Sequence, residues 1–123
     1  MIIDTDVIID YLRGQKDAVD FLETHVENTH LSAISVAELH QGAREGKERR
    51  QLDAMLEAFT LLPIDSEIAT AAGLLRRDYQ NKFGCGLADC IIAATALHHE
   101  LPLVTLNEKH FGMIKDVVIP YRK

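Results

Sequence analysis

Three carboxylates stand where a strand ends or a helix turns inward: Asp4 directly after Met-Ile-Ile, Glu38 within Ser-Val-Ala-Glu-Leu, and Asp89 ahead of the apolar run Cys-Ile-Ile-Ala-Ala-Thr-Ala-Leu. Each is set among residues that read as core, and no Lys or Arg close in sequence offers a partner. An unpaired buried carboxylate is costly, so the pattern asks for positive charge from elsewhere. Hard divalent cations such as Mg²⁺ or Mn²⁺ take oxygen ligands and are held by a few carboxylates together with water and phosphate. The chemistry these residue types can do is therefore metal-dependent work on phosphoesters.

Further oxygens are available nearby. Asp6 can add a carboxylate or merely cap the next helix, and Thr105 with Asn107 can line a site or complete a strand-end turn. Glu38 shares a helical face with Ser35 and Gly42, a lane of small residues beside an acid, while Val36 and Leu39 are expected to point elsewhere. Asp89 lies near a helix start, where the partial positive charge favours an ionised carboxylate; the same placement is also an ordinary stabilising device.

The elements that must position these residues alternate. Met1 to Asp4 reads as a short buried strand, with helices over about 6–12 and 17–25 broken at Gly14. A strand at 30–32 precedes helices over 35–44 and 48–59. A strand at 61–64 is followed by a helix capped by Asp65 or Ser66 and running to Tyr79, then by a nearly apolar helix over 87–99. A strand at 103–105, a short helix over 108–114 and a strand at 117–119 complete the chain. Strands separated by helices imply an α/β fold with a parallel sheet covered on both faces. Ligands bind such sheets beyond the carboxyl ends of the strands, where strand order reverses, and that edge gives the acids a meeting place.

The chain has 123 residues, which fits a single domain over 1–123. No stretch approaches the roughly 18 apolar residues of a membrane span, and the amino terminus lacks a basic leader, so a soluble cytoplasmic protein is expected. Cys85 and Cys90 make neither a disulfide framework nor a metal-ligand set. The six histidines form no HExxH or comparable pair and receive no catalytic role. The net charge of −6 argues against gripping nucleic acid by bulk electrostatics. Convergent acids with bound cations would offset part of that excess. Basic residues cluster at Arg44, Lys47, Arg49 and Arg50 and again at Arg76, Arg77 and Lys82; both groups read first as solvated helix faces.

Four ordered segments resemble the PIN domain nucleases, specifically the VapC-type toxins of toxin-antitoxin modules. They are Ile-Ile-Asp-Thr-Asp at 2–6, Ser-Val-Ala-Glu-Leu-His-Gln-Gly-Ala at 35–43, Leu-Ala-Asp-Cys-Ile-Ile-Ala-Ala-Thr-Ala-Leu at 87–97 and Leu-Val-Thr-Leu-Asn-Glu-Lys-His-Phe at 103–111. The resemblance implies a PIN-like three-layer α/β/α sandwich around a mainly parallel sheet of about five strands. It implies a Mg²⁺- or Mn²⁺-dependent endoribonuclease whose cleavage leaves 5′-phosphate and 3′-hydroxyl ends. Asp4, Glu38 and Asp89 match the main metal-binding acids, Asn107 fills the fourth acidic place, and Asp6 and Thr105 support them. RNA as substrate, a homodimer and a VapB-type antitoxin are the partners it implies; no base-reading element stands out.

Two rivals remain at this point. A phosphatase of the haloacid dehalogenase type also opens with Asp-x-Asp-x-Val after a first strand, as Asp4, Asp6 and Val7 do, and would use Asp4 as a nucleophile. Lys109 is its one loosely placed late lysine. The other rival is a PIN scaffold without activity that binds a partner protein.

Overall fold

The computed structural model describes residues 1–123. Its strands are β1 (Ile2–Ile3), β2 (His30–Ser32), β3 (Thr60–Leu62), β4 (Leu103–Val104) and β5 (Val117–Val118). Its helices are α1 (Thr5–Leu12), α2 (Lys16–His25), α3 (Ala33–Gly42), α4 (Lys47–Glu57), α5 (Ser66–Phe83) and α6 (Leu87–His98). All five strands are parallel, in the order β3-β2-β1-β4-β5.

A parallel sheet buried on both faces needs apolar residues on both sides of its strands, and the central strands supply them. Ile2, Ile3, Leu103 and Val104 are all fully buried. Neighbouring strand residues point to opposite faces. Accordingly Ile3, Leu31 and Val104 pack with Val7, Ile8, Leu39 and Leu52 of α1, α3 and α4. Ile2 and Leu103 pack on the other face with Ile92, Ala93 and Ala96 of α6 and with Phe111. A third cluster joins α5 to α6 through Ile68, Ala72, Cys85, Cys90 and Ala94.

The chain steps outward from β1 to β2 to β3, then returns through α5 and α6 to place β4 on the free side of β1. Strand order therefore reverses between β1 and β4, where such a sheet presents its binding crevice.

Several boundaries differ from the sequence reading for local reasons. α3 begins two residues earlier, because the Ser32 hydroxyl accepts from the Ile34 N–H at 3.2 Å and caps it. β3 ends at Leu62. α5 runs past Tyr79 to Phe83 and stops where Gly84 takes the left-handed conformation, φ +72°. The segment after Asn107 is a 3-10 turn over Glu108–Phe111, not a helix reaching residue 114. A Cβ at Gly112 would stand 2.3 Å from the Phe83 ring, so only glycine lets this turn close against the end of α5.

Candidate metal centre

Asp4 leaves β1 at the switch point. Its N–H continues the ladder onto the Val104 carbonyl at 2.8 Å, and its side chain begins α1, Oδ1 accepting from the Thr5 N–H at 2.8 Å. Oδ2 accepts from the Thr105 hydroxyl at 2.7 Å. Thr105 is itself fixed, its N–H donating to Val118 at 3.1 Å. These bonds hold a carboxylate that is only 6% exposed, and no cationic side chain pairs with it. Burial pushes its pKa from the ordinary 3.8 up to about 7, the Asp6 and Asp89 charges adding to the rise and the Thr105 hydrogen bond opposing it.

Asp6 is not the helix cap; Asp4 is. Asp6 Oδ2 accepts from the Leu106 N–H at 3.2 Å, tying the first turn of α1 to the segment after β4. Its Oδ1 is buried without any hydrogen-bond partner. Burial raises its pKa as well, against hydrogen bonds from backbone N–H groups.

Glu38 reaches the site from α3. The Thr5 hydroxyl lies 2.8 Å from Glu38 Oε1 and 2.8 Å from Ser35 Oγ. A hydroxyl has one proton to give, so with the carboxylate accepting it, Ser35 donates in turn to Thr5. The lane that Glu38 shares with Gly42 does line a cavity of about 400 Å³, and Leu39, expected to point away, lines it too.

Asp89 occupies the first turn of α6, where its Oδ2 accepts from the Gly86 N–H at 3.1 Å. The same oxygen stands 3.1 Å from His110 Nδ1, which is 2.8 Å from the Asn107 side-chain nitrogen. The Asn107 N–H donates to the Thr105 hydroxyl at 3.0 Å. Asp89, His110, Asn107, Thr105 and Asp4 thus lie in consecutive contact, although one Nδ1 cannot both donate to Asp89 and accept from the Asn107 nitrogen. His110 had no assigned role in the sequence. Its contact with Asp89 spans 21 residues and depends on the 3-10 turn. Its place in the Asn-x-x-His spacing after Thr105 was the available signal.

The expectation that all three main acids sit within the core is corrected. Asp4 is buried, Asp89 is half-buried and Glu38 is exposed. The oxygens of Asp4, Glu38 and Asp89 also do not close to within 4.8 Å of one another; the group that does is Asp65, Glu67 and His98, exposed at the start of α5 and the end of α6. A hard ion that keeps several of its own waters suits a wider ring of carboxylates. Buried anions without a countercharge, an orphaned Asp6 oxygen and an all-oxygen donor set fit such a cation. The buried thiols do not compete for it: burial and the neighbouring Cys85 push Cys90 up to about 12.

A family description, "PIN domain", matches residues 1–115. The chain belongs to the PIN domain family. Among its PIN relatives, it is 38% identical to "Ribonuclease VapC10" of Mycobacterium tuberculosis across 98% of this chain and 92% of that one. It is 34% identical to "Toxin FitB" of Neisseria gonorrhoeae over 90% of each. The solved PIN structures it resembles include a "Toxin-antitoxin complex from Klebsiella pneumoniae", with TM-score 0.86, 32% identity and coverage of 99% and 98%. FitAcB from Neisseria gonorrhoeae follows at TM-score 0.77, 32% identity and coverage of 97% and 96%. The α/β/α sandwich expected from the sequence is therefore the PIN fold. Membership also sets the haloacid dehalogenase reading aside, and Lys109, the lysine that scheme needed, is exposed. No helix is long and apolar enough to cross a membrane.

Proposed function

We propose that this chain is an endoribonuclease, the toxin of a VapBC-type toxin-antitoxin pair, using Mg²⁺ or Mn²⁺ to hydrolyse RNA phosphodiester bonds. The observation that carries the reading is Asp4: a buried carboxylate at the sheet's switch point, raised in pKa and without a cation of its own. Kinship with proteins named ribonuclease supports the reaction class.

A divalent cation bound here supplies Lewis-acid activation of water and neutralises charge building on the phosphate. Asp4, Glu38 and Asp89 are the residues that hold it, with Asn107 and Asp6 as further oxygen donors. Thr105 keeps the Asp4 carboxylate turned toward the crevice. Thr5 and Ser35 orient Glu38. With its Nδ1 proton on the Asp89 carboxylate, His110 fixes that side chain in one rotamer, and the Asn107 amide then turns its oxygen, not its nitrogen, to the ring. The protein works in the cytoplasm as a homodimer and a single PIN domain.

One solved neighbour, 32% identical, is a toxin-antitoxin complex from Klebsiella pneumoniae, and a cognate VapB-type antitoxin is the partner of this chain. The cavity beside Glu38, apolar at Ile9, Leu12, Leu39 and Leu52 and polar at Arg13 and Glu48, offers that partner a seat that borders the metal centre at Glu38.

The test is direct. Protein freed of antitoxin is incubated with defined RNAs, with and without Mg²⁺ or Mn²⁺, beside the Asp4→Asn variant. Cleavage that requires both metal and Asp4 supports the reading; equal rates for variant and parent overturn it.

A further inference from the structure

The two basic clusters of the sequence differ in where their unpaired cations sit. On α4 and the segment before it, Arg44 pairs with Glu48 and Arg49 with Glu45 and Asp53 in exposed contacts, and the cations left unpaired, Lys47 and Arg50, are exposed. On α5, Arg77 pairs with its neighbour Asp78 at 2.9 Å, an exposed contact of the kind that contributes little. Arg76 is half-buried and makes no ion pair, and its Nε is buried with no hydrogen-bond partner at all. The buried Nε is out of a ligand's reach, but no other nitrogen of this guanidinium makes a hydrogen bond or ion pair within the chain, so its fork is free to take an acceptor.

Arg76 lines a cavity of about 250 Å³ together with Gly73, Arg77, Gln80 and Leu87. Every polar side chain in that lining offers N–H donors, and no carboxylate is among them. Gly73 sits in the middle of an 18-residue helix, where glycine is unfavourable relative to alanine. A Cβ built there meets nothing within 4 Å, so packing inside the chain does not call for the glycine. What it leaves is a stretch of exposed helix with no side chain in the cavity lining.

Position ties the cavity to the metal centre. Leu87, exposed on its rim, is the first residue of α6, and the Gly86 N–H just before it donates to Asp89.

We propose that Arg76, Arg77 and Gln80 form a phosphate-binding subsite for single-stranded RNA, one that holds the strand beside the start of α6 while its scissile bond lies at the acidic crevice. Arg guanidinium groups are suited to phosphate oxygens because their planar N–H forks match them bidentately. Leu87 supplies an apolar edge for a sugar or base. The subsite also answers a problem of the whole molecule: a chain of net charge −6 must grip a polyanion through a few local cations.

This inference rests on the ribonuclease reading, and one experiment separates the two. Steady-state cleavage of a short single-stranded oligoribonucleotide by the full chain, freed of antitoxin and supplied with Mg²⁺ or with Mn²⁺, is followed across a NaCl series for the parent, Arg76→Gln, Arg76→Lys, Arg77→Gln and Gly73→Ala. Each arginine substitution is expected to raise KM several-fold with kcat nearly unchanged, and to flatten the salt dependence of log(kcat/KM) by about 0.7, one phosphate contact on a single strand. Gly73→Ala is expected to raise Tm, as a helix-favouring change, and yet to raise KM. Arg76→Lys should keep most of the salt slope.

A parent that cleaves while both arginine variants keep its KM and slope overturns the subsite and leaves the ribonuclease reading standing. A parent that cleaves no RNA with either metal overturns both. Variants that keep the slope but change the molecular mass in solution assign the cavity to a protein carboxylate, and also overturn the subsite.

Discussion

Asp4 and Asp10 lie six residues apart along α1, each is 6% exposed, and they have opposite electrostatic fates. Asp10 receives the Tyr121 hydroxyl at 2.8 Å and the Lys123 ammonium at 2.8 to 3.0 Å, so the carboxyl-terminal segment is drawn across the helix. Burial pushes Asp10 up, but the hydrogen bonds from Lys123 and Tyr121 and the Lys123 and Arg13 charges outweigh it and hold the group below its usual range. Asp4 exposes as little surface, lies deeper, and meets two hydrogen-bond donors and further carboxylates. The fold can neutralise a buried acid with its own cations, and does so at Asp10. At Asp4 it holds the charge in place and leaves it unanswered.

The largest effect expected from this contrast is on activity. Asp4→Asn or Asp89→Asn should lower RNA cleavage by at least about 100-fold, more than loss of a supporting residue at a metal site typically costs. Asp4→Asn should also raise the Tm of metal-free protein at pH 7.5 by a few degrees, since it removes a buried anion from a repulsive cluster. A melting curve beside the activity assay checks both, and a variant that is inactive but less stable would point to misfolding.

His110→Ala comes next, with a loss on the order of 10- to 100-fold in metal affinity or activity from releasing Asp89. Cleavage rates measured against Mn²⁺ concentration distinguish this from collapse, because high metal should recover part of the loss.

The pH dependence of stability sets the two aspartates against each other. Asp4 is pushed up to about 7 in the folded chain, above its unfolded 3.8. The folded form therefore keeps a proton that the unfolded form has lost, and the associated stability, present below about pH 4, falls as pH rises to about 7. Asp6 acts in the same direction. Asp10, with its pKa lowered, adds stability above the unfolded value that is lost only as pH falls below it. Chemical denaturation of metal-free protein between pH 4.5 and 7.5 should show stability decreasing, on the order of 1–4 kcal/mol in total. Saturating Mn²⁺ should flatten the decline; an unchanged slope with metal would contradict the contrast.

Smaller still is Lys123→Gln, expected to cost about 1–2 kcal/mol by stranding Asp10, reduced from the cost of a fully buried pair because the Lys123 side chain is largely exposed. Asp10→Asn in the same chain should recover most of it. Arg49→Gln, which breaks exposed pairs on α4, should change stability by no more than about 0.5 kcal/mol.

Much of the fold and part of the site was legible in the sequence. The apolar strand cores, the nearly apolar α6 and the acids at strand and helix ends follow from local pattern, and local pattern placed Asp4, Thr105, Asn107 and Asp89 at one edge. The ends of elements were less clear. Gln80 to Phe83 carry no apolar period of their own and stay helical until Gly84 turns the chain. The exposure of Glu38 is ordinary for its residue type, whereas its hydrogen bond from Thr5, 33 residues away, has no local signal. His110 and Lys123 were missed for the same reason. Their partners lie 21 and 113 residues distant and become neighbours only once the sheet has formed.

The central claim is that Asp4 awaits a cation from outside the chain. Calorimetric titration of metal-free protein with Mn²⁺ at pH 7.5, without RNA, tests it most directly, with Asp4→Asn and Lys123→Gln beside the parent. The account predicts saturable binding by the parent and by Lys123→Gln, and its loss in Asp4→Asn. Equal Mn²⁺ affinity in the parent and Asp4→Asn would contradict it.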